Sequence, residues 1–374
     1  MKLSLHVGAA IMGMVLIIAF LRSVFHVAVI NRQTGDWLSR GVGRLVYSTV
    51  ARRAQMQKSY ADIQDVLAWD LPLYIMFLIV VWFGLVQAGF SLLIWSSQGE
   101  LRPLQAIIAS GSALSTLGFL TPPNTAGHLL AIVEGATGLG IVVFYFTFIP
   151  GYQTSIQLRQ AKVAWLYARG GPSLTNFTLV EWFQCCDGTD WNGLWEDWES
   201  WFRNITETHA LVPILAFVPT VHRGQTWLAA AAVALDSVSF FLSALEAQGV
   251  PSAIVCHRTG VDALQLIAAK LSHCRWGASE ASSGQRLTRY DFDAACERLT
   301  ALGAKVKAER DACWRRFVEL RREYEASLLS LAASLLVPAH NSLLLPLTVF
   351  AEPSSAAQSA TRTSPAPAML TRRG

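Results

Sequence analysis

The stretch Ala109-Ser110-Gly111-Ser112-Ala113-Leu114-Ser115-Thr116-Leu117-Gly118-Phe119 lies between two long apolar runs, at residues 71–95 and 128–149. A small-residue helix ending in Ser-Thr, followed at once by Leu-Gly-Phe, suits a re-entrant loop whose backbone carbonyls face a narrow axis, with glycine where a side chain would block it. Non-helical backbone at membrane depth is tolerated only where it is buried in protein or lines a water-filled path, because lipid offers no partner for free N–H and C=O groups. Pro103 stands where the first turn of the short helix begins, and proline there gives up no needed donor. The helix runs to about Leu114, its negative dipole end pointing toward the place where a cation would wait. Thr116 then offers a hydroxyl and a carbonyl, and Leu117, Gly118 and Phe119 offer carbonyls. The plainer reading is a small-residue turn between two membrane helices.

The composition agrees with a membrane setting. The chain has 374 residues, of which 52% are hydrophobic and 15% charged, with a mean hydropathy of +0.36; this is too apolar for an ordinary soluble protein. The formal charge of +4 is small, and no basic run carries the aromatic spacing of a nucleic-acid module. All the cysteines (Cys185, Cys186, Cys256, Cys274, Cys296, Cys313) follow the last expected membrane helix. If that part is cytoplasmic they are reduced thiols in helices.

Residues 3–21 form a first apolar run long enough to span about 30 Å of hydrocarbon. A cleaved signal peptide competes with this, but the basic residues follow the run rather than precede it, and no small-x-small site comes directly after. Residues 31–70 carry Arg32, Arg40, Arg44, Arg52, Arg53 and Lys58 against few acids, which places them in the cytoplasm and the N-terminus outside. The run at 71–95 returns outward. The run at 128–149 crosses back and stops at Pro150-Gly151, before Arg159, Lys162 and Arg169. Both basic flanks fall on one side, which supports three spans in a cell (plasma or inner) membrane.

Thr116, Gly118 and Phe119, with Leu117 as an apolar substitute, resemble the Thr-Val-Gly-Tyr-Gly-Asp filter of two-helix potassium channels and its Thr-x-Gly-Phe-Gly relatives. The resemblance covers about residues 71–150. It implies an ion-selectivity filter formed by Ser115, Thr116, Leu117, Gly118 and Phe119, K⁺ as the permeant ion, and a homotetramer, since one loop supplies one part of a carbonyl ring. Leu120 stands where the family has its second glycine and Thr121 where an acid is common. If that glycine serves a positive φ, leucine costs about 1–2 kcal/mol there.

In the third apolar run Gly135, Gly138 and Gly140 weaken the helix. By the same resemblance Gly138 or Gly140 is a gating hinge; close helix packing by small residues is the alternative. Glu134 is an ionisable group inside a span, which ordinarily faces a cavity or a polar partner. As filter support it would accept hydrogen bonds from the short helix, from Ser110 or from Ser112; otherwise it sits in the outer interface.

Beyond the membrane, residues 152–168 read as an amphipathic helix leaving it. Leu194, Trp195, Trp198, Phe202 and Ile205 recur at helical spacing and read as core rather than as a ligand box. Residues 226–245 are nearly long enough to span, but Asp236 at the centre costs about 2.5–3.5 kcal/mol on insertion. A buried helix of a soluble bundle fits better, with His209 or Arg223 as the partner of Asp236. Further helices are expected at 260–274, 290–302 and 306–336; residues 338–374 lose periodicity, and with 353–374 rich in Ser, Ala, Thr and Pro they read as a disordered tail. His257 and His273, beside Cys256 and Cys274, lack the short Cys-x-x-Cys spacing of a metal site. No phosphate-loop, nucleophile-elbow or Gly-x-Gly-x-x-Gly motif is present in context.

The sequence therefore predicts an all-α integral membrane protein: three transmembrane helices, a re-entrant pore loop between the second and third, and a cytoplasmic α-helical domain. Its parts are an N-terminal helix (1–30), a basic cytoplasmic linker (31–70), a pore domain (71–152), a helical domain (153–337) and a tail (338–374). The expected role is passive cation transport, with no cofactor, no metal and no enzyme activity. A cytoplasmic ligand or protein partner would act through the helical domain. The alternative is a membrane-anchored scaffold or receptor with a relict loop.

Overall fold

In the computed structural model the described residues are 2–28, 36–57, 59–98, 102–171, 174–186, 190–222, 225–247, 249–274 and 287–337. Among them every element is helical, and pairing between extended segments is limited to one bridge, Leu245 with Val306. The expected tail at 338–374, the loop at 277–284 and Arg223 lie outside the described residues, as do the side chains of His273 and Cys274.

Among the described residues four helices are long and apolar enough to cross a membrane, by length and composition. The first group is built on α4 (Asp70–Ser97), against which α1 (Lys2–Ala28), α2 (Trp37–Ala54), α5 (Pro103–Leu114) and α6 (Thr125–Gly170) all pack. The α1–α4 contact is close because glycine meets glycine: a Cβ at Gly13 would lie 2.7 Å from the Gly89 carbonyl oxygen. Without side chains there, the two backbones approach and gain dispersion contacts over their length. Trp82, 2% exposed, sits between the rings of Phe20 and Phe144. Its indole N–H donates to Ser23 Oγ (3.0 Å), and Ser23 donates to Asp36 Oδ2 (2.6 Å). The same carboxylate caps α2 by accepting from Ser39 N, so one polar chain fixes where α1 ends and α2 starts.

The second group surrounds α9 (Trp227–Ala244), packed by α7 (Thr178–Cys185), α10 (Val250–Cys274), α12 (Arg310–Arg322), α13 (Glu325–Ser334) and the end of α6. The expected aromatic face belongs to α8 (Trp191–Leu211), and Leu194, Trp195, Trp198, Phe202 and Ile205 are all buried. It is core. A 3-10 turn at Pro213–Phe217 follows, and α3 (Tyr60–Leu67) and α11 (Arg289–Ala301) complete the chain. The two groups are tied by Tyr47 of α2, whose hydroxyl donates to Ser334 O (2.9 Å) and whose ring packs on Phe217. Gln64 of α3 donates to Gln225 O (2.7 Å).

Within the segment expected as a basic linker, α2 and α3 bury Val46, Tyr47, Val50, Ala54 and Leu67. Three sequence expectations are corrected here. The third apolar run does not stop at Pro150: α6 continues through it for 46 residues, absorbing the segment expected as a separate helix. Proline removes one ladder bond, whereas ending the helix would free eight backbone groups. The helix expected from 260 begins at Val250. The long helix expected at 306–336 is two, because Tyr324 leaves the helical path (φ −121°) and its hydroxyl donates to Asp236 Oδ1 at 2.7 Å.

Candidate functional site

The short helix α5 occupies Pro103–Leu114, with Pro103 in its first turn. It lies between α4 and α6. Small residues on α6 admit its C-terminal end: a Cβ at Gly135 would stand 3.1 Å from the Ala113 carbonyl oxygen, and one at Gly138 2.6 Å from that of Leu114. Gly111 similarly faces the Gln87 side chain, whose Nε2 donates to Ile107 O at 3.0 Å.

Glu134 of α6 is fully buried. Ser110 Oγ lies 2.5 Å from Glu134 Oε1 and 3.1 Å from Gln87 O, so one hydroxyl ties three helices. Of the two serines the sequence offered as partners, Ser110 meets the carboxyl. Ser112 serves the loop instead.

The loop begins with a left-handed helix stop. Thr116 has φ +60° and Gly118 φ +67°. Leu117 N and Thr116 N donate back to Ser112 O (3.1 Å) and Ala113 O (2.9 Å), the paired bonds of a Schellman stop. Gly118 N also reaches Ser112 O (3.1 Å), and Leu120 N donates to Ser112 Oγ (3.1 Å). Ser112 thereby gathers three amides. Ser115 Oγ donates to Gly111 O.

With their N–H groups directed at Ser112, Leu117 and Gly118 keep their carbonyls free. Among the described residues the carbonyls of Thr116, Leu117, Gly118 and Phe119 accept no hydrogen bond. Leu117 and Phe119 are 72% and 67% exposed. The loop is therefore held from within and exposed on its outer side.

Its return is fixed by Asn124, which caps α6 by accepting from Gly127 N (2.7 Å) and donates to Ser97 O (2.9 Å), while Gln98 Nε2 reaches Asn124 Oδ1 (3.0 Å). The end of α4 and the start of α6 are joined there. Of the hinge candidates, Gly138 is in contact with α5, whereas nothing stands within 4 Å of a Cβ at Gly140.

Sequence reading passed over Gln87 and Asn124. Gln87 is the lone amide in the apolar run of α4, and that isolation was its signal. A further group was also missed, where α6 enters the helical domain. Arg159 is fully buried; its Nη1 donates to Leu215 O (2.8 Å) and lies 3.0 Å from His209 Nε2, and its Nη2 donates to Val218 O (2.6 Å). His209 Nδ1 meets Thr208 Oγ1. Burial, and then the Arg159 charge, hold the His209 imidazole well below its ordinary range, so Nε2 accepts from the guanidinium. Asp236 does not pair with His209. It takes Asn176 Nδ2 (2.7 Å) and Tyr324 OH (2.7 Å), with Arg321 Nε 3.3 Å away.

Among the described residues no three His, Cys, Asp or Glu side chains converge as metal ligands. Comparisons with protein-family models, with curated proteins and with solved structures find no match to this chain.

Proposed function

We propose that the protein is a passive cation channel of potassium-channel-like design and not an enzyme, with Ser115, Thr116, Leu117, Gly118 and Phe119 as its selectivity filter. In this reading α1, α4 and α6 cross the cell membrane and the N-terminus is outside. The α5 helix and its loop re-enter the bilayer, and the remaining helices form a cytoplasmic regulatory domain. Four copies surround the axis, and K⁺ is the preferred ion.

The observation that carries the reading is the run of four carbonyls without partners, at the end of a short helix set between two long apolar ones. Such groups need water, ions or neighbouring copies. Glu134 and Ser110 brace the base of the loop. Arg159 connects the lower part of α6 to the helical domain, a route by which a cytoplasmic ligand or partner would act on the pore.

A second reading, a membrane-anchored scaffold with a relict loop, is favoured by Leu120, which replaces a filter glycine and whose amide is tied to Ser112. The test is ion flux into liposomes holding the purified protein, K⁺ or Rb⁺ against Na⁺, with Gly118→Asp as the blocked control. K⁺-selective flux abolished by Gly118→Asp supports the channel; equal flux of both ions keeps the pore and removes its selectivity. A folded, non-tetrameric protein without flux supports the scaffold.

A further inference from the structure

Several arginines of the helical domain pair with acids: Arg203 with Glu199, Arg289 with Asp293 and Asp311, Arg298 with Glu181, and Arg316 with Glu319; Arg258, Arg315 and Arg322 stand singly among polar surface. Where α1 hands over to α2 the arginines lack such pairs. Arg22, Arg40 and Arg44 are all exposed, and none forms an ion pair among the described residues.

All three lie on the helix segments that meet where α1 packs on α2. Arg22 precedes Ser23, whose hydroxyl holds Asp36 at 2.6 Å, and Arg40 Nε donates to Asp36 O at 3.3 Å. Arg44 follows one turn later. Among the described residues of the junction the carboxylate is Asp36, which is 2% exposed and faces inward to Ser23 and Ser39 N. Asp62 and Asp65 belong to α3, beyond the far end of α2. The same helix segments carry exposed apolar side chains: Phe25, Trp37 and Leu45 are 54%, 58% and 63% exposed.

Position identifies the partner. Ser23 also accepts from Trp82 of α4, so the cluster sits where the apolar stretch of α1 ends and charge begins. Arginine stems and aromatic rings at such a boundary lie along acyl chains while the charged ends reach outward. We propose that Arg22, Arg40 and Arg44 bind the phosphate of anionic phospholipid in the adjoining leaflet, with Trp37 and Leu45 seated against its acyl chains. The proposal rests on α1 and α4 crossing a bilayer and not on conduction.

The test uses the full chain in nanodiscs of phosphatidylcholine with about one-fifth phosphatidylglycerol, a minority share that leaves room for enrichment. After detergent extraction, the ratio of the two lipids retained by the protein is measured. The wild type retains excess phosphatidylglycerol, and R22Q/R40Q/R44Q lowers that enrichment about tenfold or more, each charge near the surface accounting for about fivefold. A control, R203Q/R316Q, leaves it unchanged. If the triple variant loses helicity, R40Q alone replaces it, with about a fivefold loss expected. Trp37→Phe removes a part of the fluorescence quenched by brominated phosphatidylglycerol and not by brominated phosphatidylcholine. Unchanged enrichment in the variant, or an equal loss in the control, overturns the proposal alone. Release of the protein from membranes by alkaline extraction overturns the membrane reading together with it.

Discussion

The helices α9 and α6 are alike in composition and opposite in surroundings. Each is long and apolar enough to cross a membrane, yet 94% of the most apolar window of α9 is buried inside the chain against 17% for α6. Apolar content alone thus leaves the environment open. In α9 the protein itself supplies the cover, including polar partners for Asp236. In α6 only the side bearing Glu134, Gly138 and Ile141 is buried, and Leu129, Ile132, Val133, Leu139, Val143 and Phe146 stand exposed. One helix has its demand for apolar contact met within the chain; the other leaves an apolar face of a kind that lipid or further copies cover.

The largest effect expected from this contrast is at Asp236. Asp236→Ala removes the acceptor of the Asn176 Nδ2 and Tyr324 OH hydrogen bonds, while Arg321 keeps its pair with Glu325, at a cost of about 1–3 kcal/mol for each bond lost. Chemical denaturation followed by the near-ultraviolet signal of the tryptophans reads it. A loss below about 1 kcal/mol, the scale of a surface substitution, would mean that the enclosure of α9 does not depend on this network. Gly138→Ala comes next. A Cβ 2.6 Å from the Leu114 carbonyl forces α5 and α6 apart and costs about 1–3 kcal/mol as overpacking. A thermal shift of the detergent-solubilised protein checks it, and unchanged stability would show that α5 is loosely seated.

How much of this was legible follows from distance along the chain. The α5 helix falls on the expected residues because Pro103 and the left-handed stop at Thr116 act locally. Ser110 and Glu134 were matched because two helices joined by a short loop must lie side by side. The partners of Asp236 are 60 and 88 residues away, and no local pattern announces a pairing made by the whole fold. The break at Tyr324 has the same origin. Pro150 misled in the other direction: its local preference is to end a helix, and the cost of freeing backbone groups at two new helix ends prevails.

A smaller effect concerns His209, which joins α8 to α6. Its neutral form is favoured in the folded protein, so its pKa lies below the ordinary 6.5. As pH falls through that ordinary value, the unfolded chain takes up the proton first and stability declines; above it the contribution is fully present. His257, lowered by burial in the same direction, adds to the slope. Thermal unfolding between pH 8 and about pH 5, a range that brackets an ordinary histidine, reads it, and His209→Gln is expected to flatten the curve in part. An unaltered curve would place the proton elsewhere.

The smallest structural effect is expected at Gly140, and it bears most directly on the channel reading. Nothing stands within 4 Å of a Cβ there, so Gly140→Ala meets no clash and stabilises the helix by about 0.5–1 kcal/mol through lower chain entropy. Against Gly138→Ala this gives opposite signs two residues apart on one helix. The flux measurement then separates two roles. A hinge at Gly140 loses freedom on gaining a Cβ, and flux falls while stability rises; a glycine that merely faces lipid or a neighbouring copy changes stability and leaves flux alone. A fall in flux with no gain in stability fits neither role, since it requires a contact made by Gly140 across the axis that a single chain does not contain.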